Sequence, residues 1–87
     1  MTESQLQTKV MKYLHSQGIF ARKIHDTYTS GLPDVICCIG GKYVAFELKS
    51  AKGKQSKIQI VEASKIIKAG GQYYVIRTMD ELKSIIE

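Results

Sequence analysis

The chain has 87 residues, of which 44% are hydrophobic and 24% charged, and its formal net charge is +5. That length sets an expectation of one domain, 1–87, burying roughly 60% of its unfolded surface, and the balanced composition excludes extended disorder. The stretch poorest in charge, 27–42, is interrupted by Asp34 and too short to span a bilayer; the first residues lack a basic-then-apolar leader pattern, so an intracellular protein with no membrane partner is expected.

A first helix is expected from Glu3 to Gln17. Thr2 can cap it with Gln5 as its reciprocal partner, Leu6, Val10, Tyr13 and Leu14 form an apolar stripe, and Gly18 ends it. Ile19 to His25 reads as a strand and 26–32 as a polar loop. Asp34 to Ile39 is a short apolar strand, Gly40-Gly41 a tight turn, and Lys42 to Ser50 a longer strand. After the Lys52-Gly53-Lys54 loop, Ser56 with Gln59 caps a second helix whose inner face is expected to carry Ile60, Val61, Ser64 and Ile67. Gly70-Gly71 stops it, Gln72 to Arg77 is a fourth strand, and Thr78 with Glu81 caps a last helix that packs Leu82, Ile85 and Ile86 inward. The order αβββαβα predicts an α/β fold: a mixed four-stranded sheet flanked by helices, with the fourth strand parallel to one of the first three because it arrives through a helix. Cys37 and Cys38 are adjacent, which disfavours a disulfide between them, and both are expected as small buried strand residues.

Charge is unevenly placed. Lys42, Lys49, Lys52, Lys54, Lys57, Lys65 and Lys68 make up seven of the 13 basic residues, against Glu47 and Glu62 in the same stretch. Such a patch suits a polyanion, although many small basic proteins are merely solvated.

The diglycine turn gives a sharper signal. If Gly40 and Gly41 form a two-residue turn, Ile39 faces Lys42, and pairing outward brings Asp34 opposite Glu47, with Cβ atoms about 4.5–5.5 Å apart. Strand alternation puts Tyr43, Ala45, Glu47 and Lys49 on one side and Val44, Phe46 and Leu48 on the other. Two facing acids gain nothing structurally. A divalent cation changes that, because Mg²⁺ takes one or two carboxylates together with waters and substrate phosphate. Lys49 continues the same face and can position a water or bind phosphate. Taken alone, Glu47 and Lys49 read more readily as a solvated surface pair and Asp34 after Pro33 as a turn aspartate; it is the pairing of 34 with 47 that joins them. Glu3, on the stripe of the first helix, can reach the same place directly or through a water; a first-turn carboxylate is also favoured by the helix dipole alone. Lys52, Lys54 and Lys57 are candidates for phosphate contact, each equally well read as part of a solvated loop and first helical turn. Arg22, Lys23, His25 and Tyr28 are weaker candidates for DNA binding, His25 reading more readily as a surface residue.

Gly31-Leu32-Pro33-Asp34, then Phe46-Glu47-Leu48-Lys49, then Gln59 on the following helix, resembles the PD-(D/E)xK nuclease superfamily, and within it the virus-type replication–repair nuclease (VRR-NUC) group, over nearly the whole chain. The resemblance implies a restriction-endonuclease-like αβββαβ core, here followed by a short C-terminal helix. It implies a metal-dependent endonuclease selective for branched DNA such as four-way junctions or flaps. Asp34, Glu47 and the backbone carbonyl of Leu48 would hold Mg²⁺ or Mn²⁺, Lys49 would assist the attacking water, and Glu3 and Gln59 would complete the catalytic set. It further implies a homodimer in the cytoplasm of a bacterium or phage-infected cell, with no small-molecule cofactor. The competing expectations are a non-catalytic DNA-binding module and a subunit of a replication or repair complex.

Overall fold

A computed structural model describes residues 1–25 and 28–87; Asp26 and Thr27, the first two residues of the expected polar loop, lie outside the described residues. The elements are α1 (Glu3–Ser16), β1 (Phe20–Lys23), β2 (Val35–Ile39), β3 (Lys42–Leu48), α2 (Lys57–Lys68), β4 (Gln72–Ile76) and α3 (Met79–Ile86). They form one mixed sheet in the order β1-β2-β3-β4, antiparallel throughout except for the parallel pair β3/β4. This is the expected α/β architecture.

Local chemistry explains the helix starts. Each of the three helices begins with a reciprocal cap: Thr2 with Gln5, Ser56 with Gln59, and Thr78 with Glu81. Each cap satisfies two amides that the helix itself leaves without a partner. At the β2/β3 turn, Gly40 and Gly41 have φ of 58° and 81°. Two consecutive left-handed residues are what a turn matched to the right-handed strand twist requires, and glycine supplies them without Cβ strain. A Cβ at Gly41 would meet open space, so Gly41→Val is expected to cost only backbone strain, about 1–2 kcal/mol, measurable by urea unfolding.

The core lies between one face of the sheet and helices α1 and α3. Leu6, Val10 and Leu14 of α1, Val44, Phe46 and Leu48 of β3, Ile76 of β4 and Leu82 of α3 are buried in one cluster, with Ile85 and Ile86 packed against it. The alternation expected along β3 is therefore real. Its other face is also covered, however, since Ala45 and Glu47 are buried as well.

The orientation of α2 departs from expectation. Ile60, Val61 and Ile67 are each more than half exposed and Ser64 is exposed, while Ala63 is the buried residue and Gln59, Glu62 and Ile66 are half-buried around it. The helix turns its small residue inward. Gly31, at φ 79°, explains part of this: a Cβ there would stand 2.8 Å from the backbone of Ile58, so the loop before Asp34 lies directly on the first turn of α2. Cys38 is likewise exposed whereas Cys37 is buried, because neighbouring strand residues point to opposite faces. Burial pushes the Cys37 thiol up to about 11, which leaves it unreactive.

Candidate active site

The register that the diglycine turn predicts holds from Ile39↔Lys42 to Val35↔Phe46. One residue further on it changes. The Asp34 amide donates to the Phe46 carbonyl at 3.1 Å, the residue that Val35 also faces, so two residues stand against one as in a β-bulge. Asp34 is thus not in a regular pair with Glu47, but its side chain still arrives at the same place. Its Oδ2 accepts from the Leu48 amide at 2.7 Å, and its carboxyl lies against that of Glu47. The bulge re-aims the aspartate across the end of β3.

Glu47 is the only buried charged residue among the described residues, at 1% exposed. Its carboxyl is pushed up to about 8, first by burial and then by the hydrogen bond and charge of Asp34, against the opposing pull of Lys49 and Tyr73. Lys49 Nζ stands 4.0 Å from Glu47 Oε1 with its side chain 13% exposed. The other oxygen, Oε2, accepts from the Tyr73 hydroxyl at 3.2 Å, and Tyr73 in turn accepts from Gln55 Nε2 at 3.0 Å. Asp34, Glu47 and Lys49 therefore converge at the end of the sheet away from the turn.

Glu3 reaches the same end of the molecule. Together with Ser4, Gln7, Asp34 and Leu48 it lines a pocket of about 240 Å³. Among the described residues, no three acidic, histidine or cysteine side chains gather closely enough to form a metal cluster, so Glu3 shares this pocket with Asp34 without completing a triad, and Glu47 does not line it. The donor set itself fits a hard cation. Two adjacent carboxyls, one of them buried and held neutral by its surroundings, form an arrangement that Mg²⁺ or Mn²⁺ would stabilise.

Other candidates are placed less centrally. The Gln59 side-chain oxygen accepts from the Ser56 amide at 2.9 Å, so it engages the α2 cap rather than either carboxyl. Lys52, Lys54 and Lys57 are exposed on the loop and first turn that follow Lys49. Lys23 faces Val35 and the Ile24 amide donates to the Asp34 carbonyl, which brings 23–25 alongside the site with Lys23 and His25 exposed. Arg22 lies one step further away, stacked at 4.2 Å on the Phe20 ring. Tyr28 is 97% exposed.

Three contributors are not assigned to the site by the sequence, Tyr73, Gln55 and Arg77; Tyr73-Tyr74 reads there as one core and one surface residue or as an interaction surface. Arg77 Nη1 donates to the carbonyls of both Ser50 and Gly53, clasping the loop that carries Lys49. A Cβ on Gly53 would contact the Lys49 side chain at 3.5 Å, so this loop also forms one wall around that lysine. Arg77→Ala is expected to lower stability by about 2 kcal/mol, since two bonds to a charged donor are lost, and to speed hydrogen exchange selectively across 50–54.

No protein-family model matches the sequence, and no curated protein matches it. Two solved structures do share its fold. One, described as "VRR_NUC domain", superposes with a TM-score of 0.84 at 21% identity, covering 99% of this chain and 96% of the other. A second, "VRR_NUC domain protein", gives 0.82 at 20% identity, covering 99% and 85%. The chain thus has the fold of the VRR_NUC domain from end to end.

Proposed function

We propose that this VRR_NUC-fold chain is a metal-dependent endonuclease that hydrolyses phosphodiester bonds in DNA, with branched structures such as four-way junctions or flaps as its preferred substrates. The observation that carries the reading is the buried Glu47 carboxyl against that of Asp34, with the Lys49 ammonium 4.0 Å away. Such a pair is costly for folding, yet it suits a cation, and the ammonium beside it suits a phosphate.

In this reading Asp34, Glu47 and the carbonyl of Leu48 hold Mg²⁺ or Mn²⁺, with Glu3 contributing from across the pocket, directly or through a water. When bound, the cation offsets charge on the scissile phosphate and makes water a better nucleophile. Lys49 orients the attacking water and donates to a phosphate oxygen. Gln59 acts from the α2 cap. Lys52, Lys54 and Lys57 hold phosphates on one side of the site, and Arg22, Lys23, His25 and Tyr28 hold the strand on the other. No helix among the described residues is long and apolar enough to cross a membrane.

A homodimer belongs to the same reading. Ile58, Ile60, Val61 and Ile67 are all more than half exposed on α2, and a second copy would cover them. Light scattering is expected to give twice the chain mass, and Ile60→Lys to give the monomer.

A panel of junction, flap, nicked and plain duplex DNA, each run with Mg²⁺, with Mn²⁺ and with EDTA, tests the activity. Cleavage of branched DNA in the metal lanes alone is expected. Binding without cutting on every substrate would make the chain a DNA-binding module instead.

A further inference from the structure

We infer that Tyr73 and Gln55 are positioning residues that assign the two oxygens of Glu47 different tasks. This inference rests on the proposed metal-dependent activity and adds to it two residues outside the Asp34/Glu47/Lys49 set.

Three separate elements meet at this carboxyl. Glu47 is on β3. Tyr73 is on β4, where the parallel register pairs Ala45 with Tyr73 and Glu47 with Val75, so the phenol lies two residues back on the same face. Gln55 stands immediately before Ser56, the cap of α2. The direction of the chain follows from the donors available. Gln55 Nε2 can only donate, and it does so to the Tyr73 oxygen at 3.0 Å. The single proton of Tyr73 is then directed at Glu47 Oε2, 3.2 Å away. Oε1 is the oxygen nearest Lys49. Tyr73 thus holds one oxygen, and the other, beside Lys49 on a carboxyl that lies against Asp34, is the one this inference assigns to a cation. Because Glu47 is 1% exposed, bulk water has little access with which to replace the tyrosine bond, and without it the carboxyl is able to rotate.

A purely structural role would lower folding stability and leave metal affinity alone. A positioning role weakens the metal site in protein that is still folded. The chain has five tyrosines and no tryptophan, so tyrosine-sensitised Tb³⁺ luminescence reports occupancy of the site, and Gln55→Ala retains every tyrosine. Gln55→Ala is expected to bind Tb³⁺ about tenfold more weakly than the unmodified chain, as loss of one bond in a chain ending on a charged group implies. Mg²⁺ should displace the signal in both proteins. For Tyr73→Phe, calorimetric titration with Mg²⁺ is expected to show a loss of similar size, with kcat reduced at saturating Mg²⁺ and KM for DNA unchanged. Folded variants that bind Mg²⁺ and Tb³⁺ within twofold of the unmodified chain would overturn this inference while leaving the proposed activity intact. An unmodified chain that binds neither ion would overturn both.

Discussion

Asp34→Asn is expected to abolish metal-dependent cleavage, by roughly a thousandfold or more, while leaving the fold unharmed. The size follows from the charge stabilisation a bound cation supplies, several kcal/mol at about 1.4 kcal/mol per tenfold in rate. The retained fold follows from geometry. Asp34 Oδ2 accepts from the Leu48 amide, and an asparagine carbonyl oxygen can accept the same bond. Replacement also removes the negative charge lying against Glu47, one of the causes of that residue's raised pKa, so metal-free Asp34→Asn should unfold at least as high as the unmodified chain near pH 8. Cleavage assays beside thermal unfolding check both halves. Activity surviving within tenfold would remove Asp34 from the reaction, and an unfolded variant would show that the carboxylate is structural.

The sequence was most informative where structure is decided locally. The three reciprocal caps involve residues three apart, and all three form as expected. Gly40-Gly41 sets the β2/β3 register because turn length and positive φ leave one pairing. Asp34 and Glu47 could be brought together on that basis, although a bulge, which has no signature in the sequence, performs the last step. The sequence does not mark the inner face of α2, because Ile58, Ile60, Val61, Ile66 and Ile67 supply apolar residues around most of the helix. Hydrophobicity then does not choose a face. Close approach chooses it, with Ala63 inward and Gly31 against the backbone of Ile58. Nothing in the sequence ties Tyr73, Gln55 and Arg77 to the site, because the β3/β4 register depends on how the α2 crossover packs and no short turn specifies it. In the sequence Tyr73-Tyr74 is a pair with one residue for each face. Tyr74 packs on the core, and Tyr73 hydrogen-bonds to the buried acid.

Proton and metal should compete for Glu47, and this gives the second large effect. An ordinary glutamate titrates near 4.5, whereas folding holds Glu47 up at about 8. Between these values the folded chain keeps a proton that the unfolded chain releases. Stability of the metal-free protein should therefore be highest below about 4.5, fall by about 1.4 kcal/mol per pH unit as pH rises through the window, and level off above about 8. Acid protonation of other carboxylates will cut into the low end, so the slope is best read from pH 5.5 upward, with Glu47→Gln as the reference because glutamine does not titrate. A divalent cation must displace that proton, so its apparent affinity should rise about tenfold per pH unit and reach a plateau near 8. Thermal unfolding in EDTA and in saturating Mg²⁺ across this range separates the two trends. The EDTA curve should descend with pH, the Mg²⁺ curve should stay level or rise, and Glu47→Gln should show neither behaviour. Parallel curves for the unmodified chain with and without metal would mean that the carboxyl pair binds no cation. A descent shared equally by Glu47→Gln would place the titrating group elsewhere.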